Sequence, residues 1–196
     1  LPEQQHYTQS KMACWLALDR AVALAEARHI EPTWLKRWQR ERDRISSWIE
    51  AHCWNEAKQA YEFYPDSDGR LDAALALVHP YGSRVNPARM SATYRAIEQE
   101  LGHGSAMMYR YSGTEQEEST FIACSFWLVE AWAALGECTR AENAMQQILG
   151  KLCQRGNVET FNEMFDVRSD EWRGNMPQGL SHLALICAAQ ALTDHG

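Results

Sequence analysis

The residues best suited to chemistry lie near the end of the chain, in two short polar segments. The first is Asn162-Glu163-Met164-Phe165-Asp166. Eight residues later comes Gly174-Asn175-Met176-Pro177-Gln178, followed by Ser181-His182 at the head of an apolar helix. A loop carboxylate met by polar groups from a helix start is how enzymes hold a catalytic acid or base. Glu163 is therefore a candidate acid or base, and the alternative is an exposed loop glutamate.

The order of these residues resembles the C-terminal catalytic segment of glycoside hydrolase family 15, the glucoamylases, glucodextranases and bacterial trehalases. In that family a Glu, a variable residue, an aromatic residue and an Asp precede a Gly-Asn-aromatic-Pro-Gln segment that ends in Ser-His. The chain departs from this pattern at Met164, which replaces an often polar or acidic residue, and at Met176, which replaces the aromatic residue. The family's Glu is its general base, so the resemblance implies that role for Glu163.

Other segments resemble family landmarks and follow the family's order along almost the whole chain. They are His6–Lys11 with Trp15 and Ala17–Ala21, Leu71–Leu75, Tyr109–Tyr111, and Glu118–Phe121 leading into Cys124–Leu128. The His6 segment resembles the one that follows the family's general acid, a Glu in a Trp-Glu pair. The only nearby carboxylate is Glu3, and no Trp precedes it. We therefore expect residues 1–196 to be a single-domain fragment that depends on the upstream part of the same polypeptide for its acid.

The resemblance also implies that Arg110 holds sugar hydroxyls in the cleaved subsite, because it matches a family Arg. The alternative is a structural ion pair with a nearby carboxylate, for which the candidates are Glu115, Glu117 and Glu118. Glu118 is assigned to the substrate by resemblance alone, since an acidic residue opening a helix is also explained by the helix dipole. Tyr109, next to Arg110, completes this part of the predicted site.

The remaining predicted substrate-binding residues are Trp54, Asp72, His6, Lys11, Gln178 and His182. Trp54 belongs to an aromatic-rich loop, 52–70, whose rings either stack on sugars or only pack the loop against the helices. His6, Lys11 and Asp72 lie at helix starts, where they could line the mouth of a pocket. Gln178 and His182 are four residues apart and so share one helix face.

Hydrophobic periodicity predicts helices almost throughout the chain. Four nearly all-round apolar helices are predicted inside the fold, at 8–28, 71–79, 120–135 and 180–192. Three amphipathic helices are predicted outside, at 32–51, 87–101 and 138–153. Asn86 is the predicted cap of the helix that opens with Pro87. Three glycines, each just past a helical run, are expected to end helices in the left-handed conformation: Gly102, Gly136 and Gly156.

This alternation predicts an all-α fold in which inner and outer helices are paired around a centre, an α/α toroid. A helical repeat array alternates similarly, but no period of about 34–47 residues recurs. The family's ring has six inner and six outer helices. The resemblance therefore implies that the four inner and three outer helices are the C-terminal portion of an (α/α)6 toroid.

Composition excludes several classes of protein. A net charge of -7 and a pI near 5.5 argue against a nucleic-acid partner. No apolar run reaches the roughly 18 residues of a membrane span, so no membrane partner is expected. The six cysteines are widely spread, which predicts buried, reduced thiols in a cytoplasmic protein, with disulfides or an upstream signal peptide as alternatives. No His or Cys spacing suggests a metal site, and no cofactor is expected.

Two functional hypotheses follow. The first is an inverting α-glucoside hydrolase for trehalose or an α-linked gluco-oligosaccharide or glucan, with this chain supplying the general-base half of the site. The alternative is a noncatalytic α-helical toroid module that binds a carbohydrate or a protein, because this chain alone does not provide an acid/base pair. A weaker third reading is another toroid enzyme, such as a phosphorylase or a terpene cyclase. The absence of an Asp-Asp-x-x-Asp metal cluster disfavours the cyclase.

Overall fold

The computed structural model describes residues 4–78, 86–153 and 160–195, and within these ranges the fold is all-α, as predicted. Its α-helices are α1 (Thr8–Glu26), α2 (Leu35–His52), α3 (Pro87–Leu101), α4 (Ile122–Ala134), α5 (Cys138–Cys153) and α6 (Gly179–His195). Two 3-10 helices span Pro32–Trp34 and Ala73–Leu77. None of these described helices combines the length and the apolar character needed to cross a membrane.

Short strands lie between the helices along the chain. Strand β1 (Trp54–Asn55) pairs with β2 (Ala60–Tyr61) in an antiparallel hairpin. The strands β3 (Thr120–Phe121), β4 (Met164–Asp166) and β5 (Glu171–Arg173) form an antiparallel sheet with β4 in the centre. This small sheet places the chain around residue 163 beside the start of α4.

Helix α4 is the centre of the core. Eleven of its 13 residues are buried, and α5, α6 and the 3-10 helix Ala73–Leu77 all pack against it. Its sequence has no continuous polar face, so burial on all sides removes the most apolar surface from water. This confirms the prediction that the segment lies inside.

The three outer helices are amphipathic, as predicted. Helix α5, for example, buries Ala141, Met145, Ile148 and Leu152, which recur on one face. The observed bounds of α3 and α5 match the predicted ones. The capping prediction is also confirmed, because the side-chain oxygen of Asn86 accepts hydrogen bonds from the first-turn amides of α3, at 3.0 and 3.3 Å.

The predicted helix 71–79 is wrong in kind, since only Ala73–Leu77 is helical and the turn is of the 3-10 type; position 79 lies outside the described residues. Residues 71 and 72 are extended because the backbone pairs with the segment after Arg110. Ser112 N donates to Leu71 O at 3.1 Å, and Ala73 N donates to Arg110 O at 2.8 Å. These bonds bring Asp72 next to Arg110 in the fold.

One of the three predicted left-handed glycines is confirmed. Gly136 has φ +78°, whereas Gly102 has φ -88° and is right-handed. Gly102 is needed for space instead, because a Cβ there would lie 2.5 Å from the carbonyl oxygens of Glu98 and Ser105. Gly156 lies outside the described residues.

Helices α1 and α6 bury one face and expose another that is also apolar. In α6 the exposed side chains include Leu183 and Ile186, at 61% and 59%, and in α1 they include Leu24, at 43%. The prediction that all cysteines are buried is wrong: the thiols are free, but only two, Cys53 and Cys124, are buried. Two of the four predicted inner helices, α1 and α6, therefore leave apolar side chains uncovered in the described part of the chain.

Candidate functional site

The main chain of Glu163 is held between two elements. Its amide donates to the carbonyl of Asn175 at 3.0 Å, and its carbonyl accepts from the amide of Ile122, the first residue of α4, at 3.1 Å. Because the next residues form the central strand β4, Glu163 directly precedes a paired strand rather than lying in a free loop. The hydrogen bonds therefore fix the position of the Glu163 backbone from which the side chain extends.

The carboxylate of Glu163 is bound on one oxygen only. The Oε2 atom accepts hydrogen bonds from the backbone amide of Asn175 at 3.2 Å and from its side-chain amide at 3.1 Å. The Oε1 atom accepts no hydrogen bond from the described part of the chain. A carboxylate oriented through one oxygen keeps the lone pairs of the other available to a ligand or a proton.

Gly174 makes this contact possible. Its φ of +73° lies in the left-handed region, and a Cβ at this position would lie 2.8 Å from both the Cβ and the Oε2 of Glu163. Any other residue would push the carboxylate away from Asn175. The Gly-Asn pair is therefore a cradle for Glu163, with glycine supplying the space and asparagine the hydrogen bonds.

Glu163 lines a cavity of about 490 Å³. The other lining residues are Arg110, Glu117, Glu118, Ser119, Phe121, Met164, Asp166, Arg168, Arg173 and Gly174. Three arginines and four carboxylates thus surround this space, so their charges nearly cancel. A neutral ligand rich in hydroxyl groups suits such a lining, because it can both donate and accept hydrogen bonds.

A second cavity of about 400 Å³ adjoins the first through two shared residues, Arg110 and Phe121. Its other lining residues are Phe63, Asp72, Ala74, Tyr111, Cys124, Trp127 and Leu180. Phe63 and Tyr111 stack with their ring centroids 5.1 Å apart. This cavity is mostly aromatic and apolar, with one carboxyl group in its wall.

Arg110 forms an ion pair with Glu118, one of the structural pairs predicted from the sequence as the alternative to sugar binding. It also lines both cavities. Its Nε donates to Glu118 Oε2 at 2.7 Å, and its Nη2 donates to Glu118 Oε1. The hydrogen bond to Glu118 raises the pKa of the Arg110 guanidinium above its usual value, against the effect of desolvation. The guanidinium also lies over the ring of Tyr111, 5.4 Å from its centroid. Arg110 is therefore fixed in place at the junction of the two cavities.

Glu118 does not open a helix, contrary to the sequence interpretation. Helix α4 begins at Ile122, because Thr120 and Phe121 are drawn into strand β3 by pairing with β4. Glu118 instead lies in the preceding turn, where its amide bonds to Thr114 O at 2.8 Å. Its carboxylate is explained by the pair with Arg110 rather than by a helix dipole.

Asp72 caps the 3-10 helix and lines the second cavity. Its Oδ1 accepts from the amide of Ala74 at 2.9 Å. Desolvation raises the pKa of Asp72 to about 6, although the Ala74 hydrogen bond and the charge of Arg110 oppose this shift. The carboxyl group therefore changes its charge in mildly acidic solution.

Six predicted site residues line neither cavity, and four of them are Tyr109, Trp54, His6 and Lys11. The ring of Tyr109 is buried against His103, with centroids 5.6 Å apart. Trp54 lies under the guanidinium of Arg89 at 4.5 Å, because its hairpin packs on α3. The other two are His6 and Lys11, which contact Trp48 of α2 and line a separate cavity of about 280 Å³.

Gln178 and His182 also line neither cavity, although both lie close behind Glu163. The imidazole of His182 contacts the carbonyl of Gln178 and the amide of Phe161, at 2.8 and 3.1 Å. Gln178 N in turn donates to Phe161 O at 2.9 Å. These contacts are made to the main chain that leads into Glu163.

Several lining residues were not predicted from the sequence, and no side-chain role was assigned to Asn175. Asp166 and Arg168 face the first cavity together, where the amide and the side chain of Arg168 lower the pKa of Asp166. Asn175 belongs to the motif that follows Glu163 in sequence, but only the fold shows that Asn175 donates to Oε2 of Glu163. Among the described residues, no group of three or more His, Cys, Asp or Glu side chains is arranged to hold a metal ion.

Comparison with known proteins places this geometry in context. The family model for glycosyl hydrolases family 15 matches residues 2–149. The trehalase of Mycobacterium tuberculosis is 37% identical over 194 residues, which cover 95% of this chain and 27% of that protein. The trehalase of Mycolicibacterium smegmatis is 35% identical over the same length and share of this chain, and 28% of that protein is covered. The chain thus spans less than a third of the length of these two relatives.

Solved structures show the same fold. A wild-type glycosidase aligns with a TM-score of 0.78 at 18% identity, and a glycosidase variant in complex with glucose aligns with 0.79 at 17% identity. Both alignments cover 96% of this chain and 52% of the other chain. The match to the family model ends before Glu163, whereas the two trehalase alignments cover nearly all of the chain.

The raised pKa of Asp72 predicts a specific pH dependence of stability. Its folded pKa of about 6 lies above the unfolded value, so this group stabilises the fold least when it is ionised, and stability falls as pH rises from about 4 to 6. We expect Asp72→Asn, which keeps the capping oxygen, to be more stable than the wild type at pH 8 by on the order of 1 kcal/mol. The difference should vanish towards pH 4. Denaturant unfolding at both pH values measures it, and a difference independent of pH would contradict the assignment.

Gly174 lies so close to Glu163 that alanine at position 174 should reduce stability through a steric clash as well as through backbone strain. We expect Gly174→Ala to lower the free energy of unfolding by about 1–3 kcal/mol more than its control does. The control is Gly136→Ala, because Gly136 has a similar φ of +78° and nothing within 4 Å of an added Cβ. Equal losses in denaturant unfolding of the two variants would show that Gly174 is needed only for its backbone conformation.

Proposed function

Since the chain belongs to glycosyl hydrolase family 15, we propose that it supplies the general-base half of an inverting α-glucoside hydrolase. The observation that carries this proposal is the arrangement of Glu163. Its carboxylate lines a cavity with Arg110, is oriented through Oε2 by Asn175, and has no hydrogen bond from the described residues at Oε1. A base that activates water needs such a free, oriented oxygen.

The reaction is a single displacement. Glu163 Oε1 takes a proton from water while the water oxygen forms a bond to the anomeric carbon. The bond from that carbon to the leaving oxygen breaks, and a carboxylic acid on the other face of the sugar protonates the leaving oxygen. Inverting enzymes keep the two carboxyl groups roughly 6.5–9.5 Å apart, so that the water fits between the base and the sugar.

The proposal places the acid elsewhere in the polypeptide. Two carboxylates that share the first cavity with Glu163 are unsuited to donate a proton: the pKa of Asp166 is lowered by Arg168, and Glu118 is paired with Arg110. The apolar side chains on the exposed faces of α1 and α6 would be stabilised by burial against further helices. We therefore assign the acid to the upstream part of the same polypeptide, which would pack against these faces and close the ring.

Arg110 is placed to hold the sugar. Glu118 occupies its Nε and one position on Nη2, which fixes the plane of the guanidinium and leaves the remaining N–H groups for hydroxyl oxygens. Aromatic rings in the second cavity, those of Phe63, Tyr111 and Trp127, offer apolar surface for the C–H faces of a pyranose ring. The ligand contacts therefore combine one fixed cation with aromatic walls.

The substrate class is a neutral α-glucoside: trehalose, or an α-linked gluco-oligosaccharide or glucan. The near balance of charges in the first cavity favours an uncharged polyol over an anionic sugar. The names of the two bacterial relatives favour trehalose among these substrates. The alternative, a noncatalytic binding module, has the same fold but no use for an oriented carboxylate.

We expect Glu163→Gln in the complete protein to lower kcat by a factor on the order of 10²–10⁴ with little change in sugar affinity. The amide preserves the shape and the contact with Asn175 but takes no proton from water. Turnover of trehalose and binding of glucose are the measurements.

The matched control for this variant is Glu142→Gln, which removes the same charge from an exposed position on α5. It should turn over normally. Near-normal turnover by Glu163→Gln would remove Glu163 from the mechanism, and binding without turnover by the wild-type protein would favour the binding module.

Inversion predicts the anomer of the product. Incubation of the complete protein with trehalose, maltose, isomaltose and starch, followed by proton NMR during the first turnovers, should show β-glucose formed at the cleaved α-linkage. The substrate that is hydrolysed names the linkage. Release of α-glucose alone would contradict inversion, and robust hydrolysis by residues 1–196 alone would contradict an upstream acid.

A further inference from the structure

We propose that His182 is a positioning residue for Glu163 and acts through the backbone of Phe161. The inference rests on the proposed role of Glu163 as the base, and it revises the sequence prediction that His182 binds the substrate. Its side chain is half-buried and lines neither of the two cavities. All its described polar contacts are made to the main chain.

The two ring nitrogens of His182 have different partners. The amide of Phe161, which can only donate, lies 3.1 Å from Nε2. The carbonyl of Gln178, which can only accept, lies 2.8 Å from Nδ1. Both contacts are hydrogen bonds only if Nδ1 carries the proton and Nε2 bears a lone pair. The geometry therefore assigns a neutral ring with the proton on Nδ1.

This ring is one of several ties between the start of α6 and the chain before Glu163. Gln178 N donates to Phe161 O at 2.9 Å, and Ser181 Oγ donates to Asn162 O at 2.8 Å. The imidazole also stacks on the ring of Phe161, with centroids 5.5 Å apart and planes inclined by 27°. Phe161 is thus held through its amide and its carbonyl, and Asn162 through its carbonyl, by residues at the start of α6 and just before it.

Fixing these two residues limits where the carboxylate can point. Only two soft dihedrals per residue separate the Phe161 amide from Glu163. Loss of the His182 contact leaves the entry side held by two bonds instead of three, those of Gln178 to Phe161 and of Ser181 to Asn162. On the exit side, the cradle of Gly174 and Asn175 still holds Oε2. A shift of Glu163 by a fraction of an ångström changes its alignment with the attacking water, which reduces turnover more than binding.

The positioning role requires a hydrogen-bond acceptor at the position of Nε2, where it can accept from the Phe161 amide. Glutamine carries its side-chain oxygen at a similar distance from the backbone and can accept from Phe161. Asparagine is shorter, so it can replace the Nδ1 donor towards Gln178 but does not reach the Phe161 amide. These two substitutions therefore separate the bond to the Phe161 amide, which the proposal requires, from the bond to the Gln178 carbonyl, which it does not.

The test compares His182→Asn and His182→Gln in the complete protein with trehalose as substrate. We expect His182→Asn to lower kcat about tenfold or more with KM within about twofold, and His182→Gln to recover most of the loss. Equal losses in both variants, a change in KM alone, or no loss in either would overturn the proposal. A loss of turnover in Glu163→Gln together with normal turnover in His182→Asn would refute the positioning role and leave the proposed function intact.

A double variant tests whether His182 acts through Glu163. If it does, adding His182→Asn to Glu163→Gln should not reduce the residual turnover further, because no base remains to be misplaced. A further tenfold loss in the double variant would indicate a separate structural role and overturn the proposal.

The tautomer of His182 can be measured in the wild-type protein, so this test does not require any variant to fold. Long-range proton–nitrogen NMR spectra of the histidine rings distinguish the two neutral tautomers and the imidazolium. At neutral pH the His182 ring should carry its proton on Nδ1 alone. A ring protonated on Nε2 could not accept from Phe161, and this result would overturn the proposal.

Discussion

Two hydrogen bonds from Asn175 to one carboxylate oxygen of Glu163 are the constraint on which the rest of the site depends. They orient the side chain and leave its other oxygen without a described protein partner. The contact requires a glycine at position 174, because a Cβ there would occupy the position of the carboxylate. The backbone turn after β5 therefore fixes the position of the Glu163 carboxylate.

The helices supply the frame for this contact. Because α4 is buried nearly all round, its first residue is fixed, and the backbone bond from Ile122 to Glu163 transmits that position to the site. The backbone pairing of Leu71 with Ser112 brings Asp72 to the second cavity, next to Arg110. Packing of apolar helices thus determines how charged groups meet at the ends of those helices.

The helical fold follows from periodicity, and α3 and α5 match their predicted bounds, because their apolar residues recur on one face. The extended conformation of residues 71 and 72 and the start of α4 could not be predicted locally, because backbone pairing with distant segments determines both. Sequence motifs placed Glu163, Arg110 and Glu118 together, and they do line one cavity. Trp54 lines neither cavity, because its hairpin packs on α3, and this contact is invisible in the spacing of a loop.

The most direct measurement is a crystal structure of the complete protein with glucose bound. The expected result is a water molecule about 2.6–3.2 Å from Glu163 Oε1, beside the anomeric carbon, with Oε2 still held by Asn175 and Arg110 in contact with sugar hydroxyls. Glucose bound away from this cavity, or a Glu163 carboxylate with both oxygens occupied by protein groups, would contradict the central claim.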